Sequence, residues 1–398
     1  MPDFATVPAD VVSADETYLM HTYGRLPVEL VSAKGAVLTD STGKDYLDFL
    51  GGIGCASLGH CHPAVVAAVR DQAERLWQVG NYFYIENRNE AAQAISGLLS
   101  AVTDESGHVE GSTGTTWRMF FGNSGAEANE GAIKVARRWG EVKLDGAAGI
   151  VSAHKSFQPL PAGFASVDLN DIDALREAVE NPAPSCGPVC AVMLECVQGE
   201  GGVWPATYDY LRAVSDLCHE KGILLVIDEV QTGFFRCGAP FSFQRAGIEP
   251  DVVSMAKGIA DGFPMGAVAA RAEVADLMRP GDHGSTFGGS ALAMAACRAT
   301  VCALVEEDMG EHVIATGKHL RRRLEAMPRV TEVRGRGLMR GAQLDVPVAT
   351  ALVDEGLSEG LVLNHIGDSI LRFLPPLCIT DEQVDEGMDR LEALLAKH

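Results

Sequence analysis

Between residues 118 and 270 the chain keeps changing its hydrophobic period, and that alternation constrains its fold more than any other feature. RMFFGNS is an apolar run entering a small-residue turn, and AEANEGAIKVARRWG repeats its apolar residues at helical spacing. AVMLECV is again a short apolar run, YDYLRAVSDLCHEKG is helical, and ILLVIDEV, PDVVSMAK and MGAVAA are three more short apolar runs. Short buried strands alternating with amphipathic helices predict an α/β fold with a mostly parallel, doubly wound sheet. Ligands of such sheets sit outside the carboxyl ends of the strands. The 43 glycines suit the many tight strand-to-helix turns this requires.

A chain of 398 residues is long enough for two domains. The expected division is an N-terminal arm and part of a small domain over 1–55, a large domain over 56–295, and the rest of a smaller α+β domain over 296–398. GAVLTDSTGKDYLDFL reads as a hairpin around a TG turn, and HPAVVAAVRDQAERLWQV (62–79) as a helix with proline near its start. GHVEGSTGTTWR (107–118), polar and glycine-rich, reads as a surface loop. A formal net charge of −22 argues against nucleic acid or an anionic membrane surface as partner. Ten cysteines without a C-x-x-C pair, mostly in apolar surroundings, read as reduced and buried. With no leader-like start and no apolar run of membrane length, the expected location is the cytoplasm.

Three strand ends carry chemistry. Lys257 follows Val252, Val253, Met255 and Ala256, and lysine is almost never fully buried unless paired. It either snorkels to water from a strand end or is a desolvated amine ready to form a Schiff base. Asp228 and Glu229 end ILLVIDEV, where a carboxylate can pair with a protonated ring nitrogen, cap a helix or bind metal. Metal is disfavoured, because GHCHP (59–63) sits in a turn with no matching ligands. Ser124, Gly125 and Ala126 open a helix after a strand, leaving free amides at its positive end, an anion site of the phosphate type or an ordinary cap. GGIGCAS (51–57) only grazes the dinucleotide fingerprint and lacks its third glycine. A phosphate turn, a strand-end acid and a strand-end lysine are together what pyridoxal phosphate requires.

These residues stand in motifs that resemble the class III (ornithine-type) aminotransferases: TYGRLPV, LGHCHP, FFGNSGAEANEGAIKVARR, LECVQGEGGVWPA, VIDEVQTGFFRCG, AKGIADGFPMGAV and HGSTFGGSALA. The opening TYGRLPV and the late VLNHIGDSILRFLPPL look most like the family's N-acetylornithine branch. The resemblance implies a fold type I pyridoxal-phosphate transferase acting on an amino donor and a 2-oxo acid. It makes Lys257 the Schiff-base lysine and proton carrier, Asp228 the partner of the pyridine nitrogen, and Gln231 the holder of the phenolic oxygen. Ser124, Gly125 and Ala126 would bind the phosphate, although the family often has Thr where Ala126 stands. Phe157 would stack on the ring. Thr286 would reach the phosphate of a neighbouring subunit, implying a homodimer with shared sites. Tyr23 and Ser285 would line the substrate site, and Glu200 would gate Arg372, the expected ligand of the α-carboxylate. Ile53 stands where free-ornithine enzymes tend to carry Tyr, favouring an acylated substrate.

One stretch departs from the family. After Phe157 the resemblance implies His-Gly-Arg-Thr and roughly twenty further residues, the arginine holding the substrate's distal carboxylate. Here Gln158, Pro159 and Leu160 follow, with no arginine before Arg176. Either the written sequence closes over a segment the protein has, or the segment is deleted and distal recognition is lost, or the substrate lacks that carboxylate, as a diamine would. Retention of the other site residues favours the first. Other ω-aminotransferase substrates (succinylornithine, succinyldiaminopimelate, a diamine) and a silent cofactor-binding homologue remain as alternatives.

Overall fold

The computed structural model describes residues 8–156 and 162–398. Seven strands form the central sheet: β1 (Trp117–Gly122), β2 (Gly149–Ala153), β3 (Phe164–Val167), β4 (Val189–Glu195), β5 (Leu224–Asp228), β6 (Val252–Met255) and β7 (Gly266–Arg271). Their order across the sheet is β1-β7-β6-β5-β4-β2-β3. The pairs β6–β5, β5–β4, β4–β2 and β2–β3 are parallel, and β7 runs antiparallel to both neighbours. The mostly parallel, doubly wound sheet expected from the alternation is therefore present.

Continuous apolar runs follow from burial on both faces. Leu224, Val226, Val252, Val268 and Ala270 pack on one side with Ala132, Val135 and Ala136 of α1 (Gly125–Lys143). Leu225, Ile227, Val253 and Met255 pack on the other with Leu211, Val214 and Leu217 of α2 (Tyr208–Lys221). Alternate strand residues point to opposite faces, so neighbours in sequence feed different cores. Ser124 caps α1 by accepting the Glu127 amide at 3.2 Å. Gly222 ends α2 with φ 67°, a left-handed cap that glycine takes without strain.

The hairpin Val37–Asp40/Asp45–Asp48 forms as expected, its turn held by Asp40, whose Oδ1 accepts the amides of Thr42 at 2.9 Å and Lys44 at 3.0 Å. The late strand Leu361–Val362 pairs in parallel with Asp45–Asp48, so N-terminal and C-terminal segments share one sheet. A second sheet, Val330–Arg336, Met339–Leu344, Ile370–Phe373 and Asn364–Ile366 in that order, holds Arg372. The helix α3 (Ala291–Glu306) runs through residue 295, so the expected boundary at 295/296 falls inside a helix. The expected loop 107–118 is instead the second half of a hairpin, Val109–Ser112 pairing with Ala101–Thr103. Asp104 closes its turn by accepting the Ser106 hydroxyl and the His108 amide, at 2.7 and 3.0 Å. That side-chain turn is invisible to composition, which sees only polarity.

Candidate active site

The carboxyl ends of the parallel strands converge on one set of side chains. Asp228 is the last residue of β5, opposite Glu195 of β4 on one side and Ser254 of β6 on the other. It is 7% exposed. Its Oδ1 accepts the Val230 amide and its Oδ2 the Asn129 side-chain amide, both at 2.8 Å. Burial pushes its pKa up, while those donors and Lys257 pull the other way. Lys257 follows β6 in a short 3-10 turn, with φ 47°, a left-handed conformation rare for a side-chain-bearing residue. Burial lowers the pKa of its ammonium, against the charges of Glu200 and Asp228. The turn is held from below: the Ser57 hydroxyl donates to the Gly258 carbonyl at 3.2 Å, and the Leu58 amide donates to Asp261 at 2.9 Å.

The N-terminus of α1 completes one wall. Its first amides, at Gly125 and Ala126, have no acceptor within the helix. The backbone there is pressed close. A Cβ at Gly125 would lie 2.8 Å from Val230 Cγ1, and one at Gly266 would collide with the Ser124 backbone. On the opposite wall, Arg372 donates to Glu200 at 2.6 Å and to Asn364 at 2.7 Å. Burial opposes ionisation of Glu200, yet Arg372 and a 3.2 Å hydrogen bond from Gln231 Nε2 carry its pKa below the usual value. Ser285 reaches the first wall, its hydroxyl accepting from Asn123 Nδ2 at 3.2 Å.

Of the residues expected from sequence, Ser124, Gly125, Ala126, Asp228, Gln231, Lys257, Glu200, Arg372 and Ser285 lie around this one region. Thr286 and Tyr23 do not join them within the chain. Thr286 is exposed, its carbonyl accepting from the Gln78 side chain, and Tyr23 is 74% exposed beneath the Arg25 guanidinium. Phe157 falls outside the described residues. Two site residues escaped the sequence reading. Asn129 is a polar residue on the buried face of α1, and Glu195 is the one charge in AVMLECV; each breaks an apolar pattern, which is the signal that could have found it.

The sequence profile of the aminotransferase class-III family matches residues 18–159 and 151–395. The chain belongs to this family of aminotransferases. Acetylornithine aminotransferases of Caldanaerobacter subterraneus and Bacillus subtilis are 41% and 39% identical to it, over 97% and 96% of this chain and 99% and 98% of theirs. The ornithine aminotransferase of Plasmodium yoelii superposes with a TM-score of 0.87 at 31% identity, covering 98% of this chain and all of the other. The N-acetylornithine aminotransferase of Stenotrophomonas maltophilia superposes with a TM-score of 0.82 at 36% identity, over 97% and 98%. As a class-III aminotransferase the protein is a pyridoxal-phosphate-dependent enzyme of fold type I. The two profile matches overlap over residues 151–159.

The residues present suit that cofactor. Asp228 is a buried acid whose charged form lacks sufficient compensation, and a protonated ring nitrogen supplies it. Gln231 Oε1 is buried with no hydrogen-bond partner, leaving an amide beside Asp228 with capacity to spare. The small residues at 125 and 266 let the backbone close around the start of α1, where an anion is stabilised by free amides and the helix dipole.

Proposed function

We propose that this aminotransferase exchanges the amino group of N-acetylornithine with 2-oxoglutarate, yielding N-acetylglutamate 5-semialdehyde and glutamate in arginine biosynthesis. The observation that carries this reading is the Arg372–Glu200 pair, a guanidinium ready for a carboxylate but occupied by an internal one. The near-full-length relatives named acetylornithine aminotransferase, about 40% identical, support the substrate.

Bound pyridoxal phosphate supplies an electron sink for the carbon that carries the amine. Lys257 Nζ would hold the cofactor and carry the proton to and from that carbon, and burial favours its neutral form. Asp228 would keep the ring nitrogen protonated, and Gln231 would hold the phenolic oxygen. The amides of Ser124, Gly125 and Ala126 receive the phosphate. Glu200 neutralises Arg372 while the ω-amine reacts, then yields it to the α-carboxylate of the oxo acid. Ser285 lines the substrate path, which Tyr23, exposed within one chain, would reach only from a second copy.

The catalytic unit is a homodimer. Trp77, Phe83, Tyr84 and Phe287 are exposed, Tyr84 fully so, on the segments flanking Thr286. A surface that apolar fits a second copy, which brings Thr286 to its neighbour's phosphate. No helix among the described residues is long and apolar enough to cross a membrane, consistent with a cytoplasmic enzyme.

A half-reaction tests the assignment. N-acetylornithine added without oxo acid is expected to abolish the visible band of the bound cofactor, and 2-oxoglutarate to restore it. A band indifferent to N-acetylornithine but bleached by a diamine would transfer the assignment to an amine without a distal carboxylate, one of the three explanations of the departure after Phe157.

A further inference from the structure

Glu195 has no part in the chemistry above, yet it is the strand neighbour of Asp228. It ends β4 directly opposite Asp228, and neighbouring strands lie about 4.8 Å apart. Its carboxyl is held from two directions. Ser156, in the turn after β2, donates its hydroxyl to Oε1 at 3.1 Å, and the Gly199 amide donates to Oε2 at 3.0 Å. Gly199 begins the loop that carries Glu200, and Gln231 packs against it so tightly that a Cβ there would strike the amide group.

We propose that Glu195 is a positioning residue of the site: its carboxyl fastens the turn after β2 to the loop carrying Glu200, and its charge acts on Asp228 and Lys257. Burial and the neighbouring charge of Asp228 both raise its pKa above the ordinary carboxylate value, while the Gly199 amide, Ser156 and Lys257 oppose them. It therefore titrates nearer neutrality than a free glutamate. The charges facing it are Asp228 on β5, Lys257 after β6, and Glu200 with Arg372 across the loop. His154 lies on the turn after β2, and Arg336 donates to the adjacent Cys196 carbonyl. Lys257 is the cation that stabilises its ionised form, and the charge of Asp228 opposes it. The mechanical half rests on the hydrogen bonds. Without them Glu200 keeps its contacts with Arg372 and Gln231, and the segment keeps the bonds from Gln198 to the His154 carbonyl and from Arg334 to the Gly202 carbonyl, but the direct tie from the end of β4 is gone.

This inference rests on the assignment of Lys257 and Asp228 to the cofactor, and the test separates the two. Glu195→Gln removes the charge while a side chain of the same shape can still bond Ser156 and Gly199; Glu195→Ala removes both. The holoenzyme is titrated from about pH 5.5 to about pH 10 without substrate, following the visible band of bound pyridoxal phosphate. In Glu195→Gln the nitrogen contributed by Lys257 is expected to lose its proton at a lower pH, by about half a unit or more, because a nearby negative charge has gone. Glu195→Ala is expected to show the same displacement and, in addition, a KM for 2-oxoglutarate raised several-fold relative to Glu195→Gln. Superimposable titration curves for wild type and Glu195→Gln overturn the electrostatic half. Equal KM values in the two variants overturn the mechanical half. A wild-type holoenzyme with no visible band overturns the site assignment and this inference together.

Discussion

Replacing Asn129 by Ala isolates the support of a single buried carboxylate. Asn129 Nδ2 donates to Asp228 Oδ2 at 2.8 Å, and the Val230 amide donates to Oδ1 at the same distance. A hydrogen bond to a charged group contributes about 1.5–3 kcal/mol. Its loss raises an already elevated Asp228 pKa further. The protonated acid cannot pair with a protonated ring nitrogen. The affinity of the apoenzyme for pyridoxal phosphate should therefore fall by about ten- to a hundredfold near neutral pH, and the deficit should shrink as rising pH restores the charge. The assay is a titration of apoenzyme with pyridoxal phosphate at several pH values, with circular dichroism to show that the variant is folded. An unchanged dissociation constant, or a deficit that does not vary with pH, would refute the view that Asn129 acts by holding Asp228 ionised.

Arg372→Ala should raise KM for 2-oxoglutarate by about ten- to a hundredfold, from the loss of a charge-assisted hydrogen bond of about 1.5–3 kcal/mol. Steady-state kinetics with N-acetylornithine varied should show a smaller change, and equal changes for both substrates would count against the gate. Gly266→Ala should leave little soluble holoenzyme, since its methyl would collide with the Ser124 backbone at the start of α1; cofactor content and melting temperature equal to wild type would show that the two segments are not so close. Glu229 is fully buried and its pKa is pushed up from 4.5 to about 7 by desolvation, against hydrogen bonds from Thr232 and the Phe243 amide. The native state thus binds more protons than the unfolded state between those values, so this group costs stability as pH rises from about 4.5 to about 7, by up to roughly 3 kcal/mol. Glu229→Gln should gain stability relative to wild type across that window in unfolding experiments, and a constant difference would contradict the burial argument.

How much of this was legible in the sequence depends on how far each feature reaches along the chain. The strands around Asp228 and Lys257 were readable because continuous apolar runs bounded by turns report burial locally. The start of α1 was readable because a cap and its helix are consecutive. The hairpin at 101–112 was not, because one aspartate turning its side chain onto its own backbone leaves no periodic trace. Nor was the switch to the C-terminal part, since α3 runs unbroken across residue 295.

The sequence by itself determined the α/β class and the mostly parallel sheet, and it singled out the strand-end lysine, acid and anion turn proposed above to hold pyridoxal phosphate. These follow from period, composition and short motifs, all of which are properties of neighbouring residues. Only the tertiary structure decided which side chains meet. Glu200 and Arg372 pair across 172 positions, Asn129 reaches Asp228 across 99, and Glu195 faces Asp228 because β4 and β5 are neighbours in the sheet. Such contacts depend on strand order and register, which the packing of the whole chain sets and local propensity does not.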